Sequence, residues 1–176
     1  MTSPDIIQGI VDCIIHNEDA TDSGVVTNDP SDSGGRTQWG ISEKSNPEAW
    51  ADGKVTREEA QEIYFQKYIY PFRGIADQAL LHQLVDWAVP SGPVTVIRIL
   101  QQIVGVNPDG VVGPKTLEAI EKFPSMNLFG VQLAGAATLK FKLRDARITF
   151  HAATAKHRPK DLKFLLGWLR RAMEFV

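Results

Sequence analysis

The chain has 176 residues, enough for one domain or a compact pair of lobes with a real core. Apolar residues make up 43% and charged residues 23%, an ordinary globular composition, and no stretch reaches the roughly 18 consecutive apolar residues of a membrane span. Cys13 is the only cysteine, which excludes an intrachain disulfide and argues against a cysteine-built zinc site.

In chain order, residues 3–17 read as an amphipathic helix, with Ser3 as cap, Pro4 in the first turn and an apolar stripe through Ile6, Ile7, Ile10, Val11, Ile14 and Ile15. Residues 18–42 are rich in Asp, Ser, Gly and Asn and read as a long loop, with short strands at 24–28 and 36–41. Thr56 and Glu59 form a capping-box pair for a helix that Pro71 closes. Asp77 caps the next helix, 77–89, whose Leu80, Leu81, Leu84, Val85 and Ala88 share a face; Pro90, Gly92 and Pro93 break it. A helix over 93–104 stops at Gly105, a turn follows at Asn107–Gly110, and Pro114 opens a short helix to about Lys122. A long helix is expected over 126–155 and a last one over 160–174. The fold class is therefore mainly α, with one long loop near the N-terminus that has room for a small β-hairpin. Loops of that length inside a domain are usually functional or disordered.

Charge is unevenly spread. Residues 1–62 hold thirteen acids against four bases, and residues 140–176 hold ten bases against three acids. The basic end reads either as a solvated helix face or as a surface that steers toward anions. Met1–Asp5 lacks a basic leader, so the expectation is a protein first held in the cytoplasm.

The loop carries the candidate chemistry. Glu18 follows an apolar helix, where partial desolvation would raise a carboxyl pKa toward that of a general acid. Glycoside hydrolysis pairs such an acid with a second group that places water or stabilises the sugar cation. Asp19, Asp22, Asp29 and Asp32 are available for that second role, and Thr37 can hold a water. Asp29 also suits an Asx turn with Pro30, and Asp32 a turn cap. Trp39, Tyr64, Tyr68 and Tyr70 offer flat faces for sugar rings, whereas Trp87 and Trp168 lie on apolar helical faces and read as core. The four histidines lack metal spacing and no calcium loop is present, so neither metal nor cofactor is expected.

Glu18, Asn28-Asp29-Pro30, Asp32, Gly34-Gly35, Thr37 and Trp39-Gly40-Ile41 together resemble the signature of glycoside hydrolase family 108, the lysozyme-like N-acetylmuramidases of phages and bacteria. The resemblance implies a lysozyme-like helical fold with Glu18 as proton donor, the family's Gly-Gly pair and Thr mapping onto Gly34, Gly35 and Thr37. The chain departs from the family pattern after Glu18, where it reads Asp-Ala-Thr-Asp-Ser-Gly rather than Gly-Gly-Tyr. That departure bears on the assisting carboxylate, for which Asp32 is favoured and Asp29 comes second. The later residues Asp86-Trp87-Ala88, Asp109-Gly110-Val111-Val112-Gly113-Pro114-Lys115-Thr116 and Gly167-Trp168-Leu169 resemble the peptidoglycan-binding region that accompanies this family. The expected organisation is a catalytic lobe at 1–75 and a helical, peptidoglycan-binding lobe at 76–176, forming one compact unit.

The resemblance implies a monomeric endolysin that cuts the β-1,4 bond between N-acetylmuramic acid and N-acetylglucosamine. It would use Glu18, Asp32 and Thr37, with Asp29, Trp39, Tyr64, Tyr68 and Tyr70 contacting substrate. Peptidoglycan is the expected partner, with no nucleic acid and with weak contact to an anionic membrane or lipopolysaccharide through the basic C-terminal helices. The enzyme would wait in the host cytoplasm and reach the periplasm through a separately encoded holin. A lytic transglycosylase acting on the same bond, or a non-catalytic wall-binding module, are the alternatives.

Overall fold

The computed structural model describes residues 4–19, 23–28 and 35–175. Asp22, Asp29, Asp32 and Gly34, singled out above, lie outside the described residues, as does the Ser3 cap. The chain divides into two compact units, Thr2–Tyr70 and Pro71–Val176.

The first unit begins with α1, Pro4–Glu18. Its residues Ile10, Val11, Ile14 and Ile15 recur at helical spacing and are buried, so the stripe read from the sequence is the face that enters the core. A two-stranded antiparallel hairpin follows, β1 (Thr37–Gln38) and β2 (Ile41–Ser42). Thr27 adds an isolated bridge, exchanging backbone bonds of 2.8 Å in both directions with Thr37. Helix α2, Arg57–Tyr64, opens with the expected reciprocal cap: the Thr56 hydroxyl accepts from the Glu59 backbone, and the Glu59 carboxylate accepts from Thr56 N–H at 2.8 Å. The chain then widens into a π-helical turn at Phe65–Ile69 before a short 3-10 turn at Tyr70–Phe72, so Pro71 lies inside the closing turn rather than after a plain α-helix. Arg57 reaches Asp12 at 3.0 Å and ties α2 to α1.

The second unit is helical apart from one hairpin. Helix α3, Gln78–Ser91, is capped by Asp77, whose carboxylate accepts from Leu80 N–H at 2.9 Å. It continues through Pro90, because a proline in the last turn forfeits only one backbone bond. The break falls at Gly92, and α4, Pro93–Val104, ends at Gly105 in the left-handed conformation. Helix α5 is Pro114–Glu121.

Residues 126–133 correct the expected long helix. They form strands β3 (Met126–Leu128) and β4 (Val131–Leu133), joined by Phe129-Gly130 with both φ values positive, at 49° and 86°. Two positive φ values in a two-residue loop match the twist of a hairpin. The Asn127 carboxamide oxygen accepts from Gly130 N–H at 2.9 Å and closes the turn. Helix α6 begins only at Gly135 and runs to His157; a Cβ at position 135 would stand 1.9 Å from the Phe123 carbonyl oxygen. Helix α7 is Leu162–Met173.

The core of this unit centres on Trp87, which is fully buried as expected. Beside it sits a charged cluster. Asp86 takes Arg147 on one carboxylate oxygen and Arg171 on the other, each at 2.7 Å, with Asp86 and Arg147 almost wholly buried. His151 is buried too and stacks on Trp168 with ring centroids 4.8 Å apart. Trp168 itself is only half-buried.

Candidate active site

Glu18 is the last residue of α1, and the chain leaves the helix there with Asp19 N–H still bonded to Ile15 O at 2.7 Å. The helix therefore delivers Glu18 to the rim of a cavity of about 170 Å³. The cavity is lined by Glu18, Asp19, Ser23, Val25, Thr27, Thr37, Trp39 and Gly40. Four candidate residues singled out in the sequence, Glu18, Asp19, Thr37 and Trp39, thus come together on one cavity.

The hairpin turn shapes this cavity. Trp39 and Gly40 form the two-residue loop between β1 and β2, with φ values of 54° and 76°. Glycine at position 40 is a requirement of space as well as of conformation. A Cβ there would stand 2.3 Å from the Tyr64 hydroxyl and 2.7 Å from the Glu18 Cβ. The Tyr64 hydroxyl donates to Trp39 O at 3.0 Å, and the Trp39 indole N–H donates to Val55 O at 3.1 Å. Gln38 joins both sides of the site: its amide donates to Gly24 O and its carbonyl accepts from Val55 N–H, both at 2.7 Å.

After Glu18, where the family pattern is lost, the described residues Asp19 and Gly24 are tied to each other. The Asp19 carboxylate accepts from Gly24 N–H at 2.9 Å. Gly24 lies so close to the Trp39 indole that a Cβ would sit 2.3 Å from its ring. Further out, Arg36 grips Glu43 with two bonds of 2.9 and 2.7 Å and covers the Trp50 ring at 4.8 Å. That grip holds the Glu43 carboxyl below its ordinary pKa.

Glu18 is exposed, so the partial desolvation expected at the helix end is not supplied by the described residues. Its charge is felt behind the cavity. Burial, reinforced by the Glu18 carboxylate and then by Tyr68, drives the Tyr64 phenol far above its usual pKa; burial and Glu18 raise Tyr68 as well. Both phenols therefore stay protonated and remain donors.

The other aromatics separate by position. Tyr64 is 2% exposed, so its contribution is to hold the Trp39-Gly40 turn and not to offer a face to sugar. Tyr68 is half-buried beside it, with ring centroids 5.9 Å apart. Tyr70 is exposed and does not line the cavity; its ring neighbour is Phe65 at 6.4 Å. Sequence reasoning missed Ser23, Val25 and Thr27 as lining residues and Gln38 as the bridge. The only signal for Gln38 was a polar residue within the strand pattern.

In the second unit a groove of about 360 Å³ is lined by residues of the Asn107–Thr116 segment together with Gln101 and Val106. Buried Gln101 organises it. Its amide donates toward Asp109 Oδ1 (2.7 Å), Val111 O (2.9 Å) and Thr116 Oγ1 (3.1 Å), and its carbonyl accepts from Gly110 N–H at 2.9 Å. The bond from Gln101, then that from Val111 N–H, keeps the Asp109 carboxyl below its ordinary pKa.

Both regions are similar to known families. Residues 15–92 match the family model described as glycosyl hydrolase 108, and residues 95–173 match the one described as a predicted peptidoglycan domain. No curated protein matches the chain. Among solved structures the chain is similar to SagA of Brucella abortus at 27% identity, with a TM-score of 0.72 over 98% of this chain and 92% of that one. The mainly α, lysozyme-like fold expected from the sequence is the fold observed.

Proposed function

Starting from a glycoside hydrolase that joins a glycosyl hydrolase 108 domain to a predicted peptidoglycan domain, we propose that Glu18 is the acid that breaks the β-1,4 bond between N-acetylmuramic acid and N-acetylglucosamine. Lysozyme-like hydrolysis of peptidoglycan follows from the two domains; the bond and the residues are our reading. The observation that carries it is the place of Glu18, at the end of α1 on the rim of the cavity it shares with Thr37 and Trp39.

In this mechanism the glycan lies across the cavity with a sugar face toward Trp39 and Val25. Covering Glu18 removes water from its carboxyl and raises its proton affinity. Glu18 gives its proton to the glycosidic oxygen as the bond to muramic acid C1 breaks. A water held by the Thr37 hydroxyl and the Asp32 carboxylate adds its oxygen to that carbon and loses a proton to the carboxylate. Asp29 is the second choice for that role. The groove around Gln101 contacts the wall.

The biological role we assign is that of a monomeric endolysin, held in the host cytoplasm and admitted to the periplasm by a separate holin. What supports it is the resemblance of the Glu18–Ile41 signature to phage and bacterial muramidases. Expression in a Gram-negative host with and without a holin tests this role. Lysis that depends on the holin supports it, and lysis without one contradicts it.

Digestion of Gram-negative peptidoglycan followed by mass spectrometry tests the chemistry. The reading predicts fragments with reducing muramic ends. Anhydro-muramic ends would replace the water by the muramic 6-hydroxyl and make the enzyme a lytic transglycosylase.

A further inference from the structure

Helix α7 presents two apolar stripes, and only one is covered. Leu165, Trp168 and Ala172, at spacings of three and four, are half-buried or buried and form the inward stripe. Leu162, Leu166 and Met173, at positions i, i+4 and i+11, fall on a second stripe roughly a third of a turn or more away. They are 59, 61 and 64% exposed, which makes them three of the most open large apolar side chains among the described residues. Single exposed apolar residues need no explanation, but three aligned on one helix form a patch.

The charges within α7 itself have one sign. Lys163 and Arg170, seven residues apart, run along its flank, and Lys160 precedes the helix; all three are exposed. None of the three forms an ion pair among the described residues, whereas the neighbouring acid Asp161 is committed to Arg158 at 3.0 Å. Glu174, just past the helix end, is the other acid nearby and is exposed. The pattern is a row of aliphatic side chains edged by cations outside any ion pair among the described residues, Lys163 lying over the Phe164 ring at 4.8 Å. That is the chemistry of a helix lying in the interface of an anionic membrane. At 12 residues α7 is about 18 Å long, too short to span a bilayer, so the contact is peripheral.

We propose that the outer face of α7 is a docking surface for an anionic phospholipid bilayer. Leu162, Leu166 and Met173 enter the interface, while Lys163 and Arg170 meet the phosphates. This would hold the enzyme at the membrane that bounds its substrate, separately from the hydrolytic site.

Vesicle co-sedimentation of the full chain tests it, comparing phosphatidylglycerol with phosphatidylcholine vesicles at low and high salt. Wild type is expected to sediment with the anionic vesicles only, and less so at high salt. Each cation near such a surface contributes about fivefold in partition, so K163E/R170E is expected to bind more than about twentyfold more weakly. L166E/M173E should lose binding as well. Both variants should keep the wild-type melting curve and still digest soluble glycan fragments, since neither pair touches the Glu18 cavity. Equal sedimentation with both vesicle types, none with either, or undiminished binding by either folded variant would overturn the proposal. So would a wild-type dimer that the L166E/M173E change converts to monomer, which would make the stripe an interface between copies. Glycan digestion is read separately, so failure of the membrane proposal leaves the hydrolase reading standing.

Discussion

The hydroxyl of Tyr64 donates to the backbone carbonyl of Trp39 at 3.0 Å, and through this bond helix α2 holds the hairpin turn that lies against Glu18. Removing it by Tyr64→Phe leaves the ring in its buried place and frees the Trp39 carbonyl. The expected cost is about 1 kcal/mol of stability. The turn also loses its anchor beside Glu18, so kcat should fall several-fold with little change in KM. Steady-state kinetics on soluble glycan fragments, beside a thermal melt, check both numbers.

A methyl group at the neighbouring position has a harsher effect. In Gly40→Ala the new Cβ meets the Tyr64 hydroxyl and the Glu18 Cβ, and the backbone keeps a φ of 76° that alanine resists. Relief requires the turn and Glu18 to separate. We expect roughly 1–3 kcal/mol of destabilisation and a loss of activity of more than tenfold. Activity restored by a larger substitution, Gly40→Val, would contradict this account.

Much of the fold is legible in the sequence where the determinant is local. The Thr56–Glu59 box, the Asp77 cap and the Gly105 stop each act within a few residues, and all three are found in place. The hairpin at 126–133 is not legible, because its turn places Phe129 in the left-handed region where Asn or Gly would be the usual signal. At the site, Glu18, Thr37 and Trp39 are readable as a signature, but the task of Tyr64 is not. A tyrosine on a helix reads equally as a sugar platform or as a core residue; only contact with a turn 25 positions earlier in the chain decides for the latter.

Gln101 offers a test of the second region that leaves the Glu18 cavity alone. Replacing it with leucine strips the Gly110 N–H of its acceptor and Asp109, Val111 and Thr116 of their shared donor. Two deprived buried groups, Gly110 N–H and the Thr116 hydroxyl, at about 1–3 kcal/mol each, imply a loss of roughly 2–6 kcal/mol. Retention on insoluble peptidoglycan should drop, while cleavage of soluble fragments at a temperature where the variant is folded should not.

His151 makes stability depend on pH. Burial, helped by the positive charge of Arg147 and opposed by Asp86, lowers its pKa from 6.5 to about 4. The folded state therefore resists taking up the proton that the unfolded chain accepts, so the unfolded state binds more protons between these values. Stability contributed by neutral His151 is complete above about pH 6.5 and is lost as pH falls toward 4, up to about 3 kcal/mol. Thermal melts should fall across that interval, and His151→Phe should flatten the fall. An unchanged slope in the folded variant would assign the effect to other groups.

The central claim is that Glu18 supplies the proton, and Glu18→Gln tests it most directly, because the amide keeps the size of the side chain and cannot donate an acidic proton. The measurement is the rate at which wild type and variant release reducing muramic ends from purified peptidoglycan, with folding of both confirmed by melting curves. We predict a fall of at least about a hundredfold with the fold intact, in keeping with the weight of general acid catalysis. Equal rates of release by the two proteins would contradict the account and move the catalytic acid to another residue.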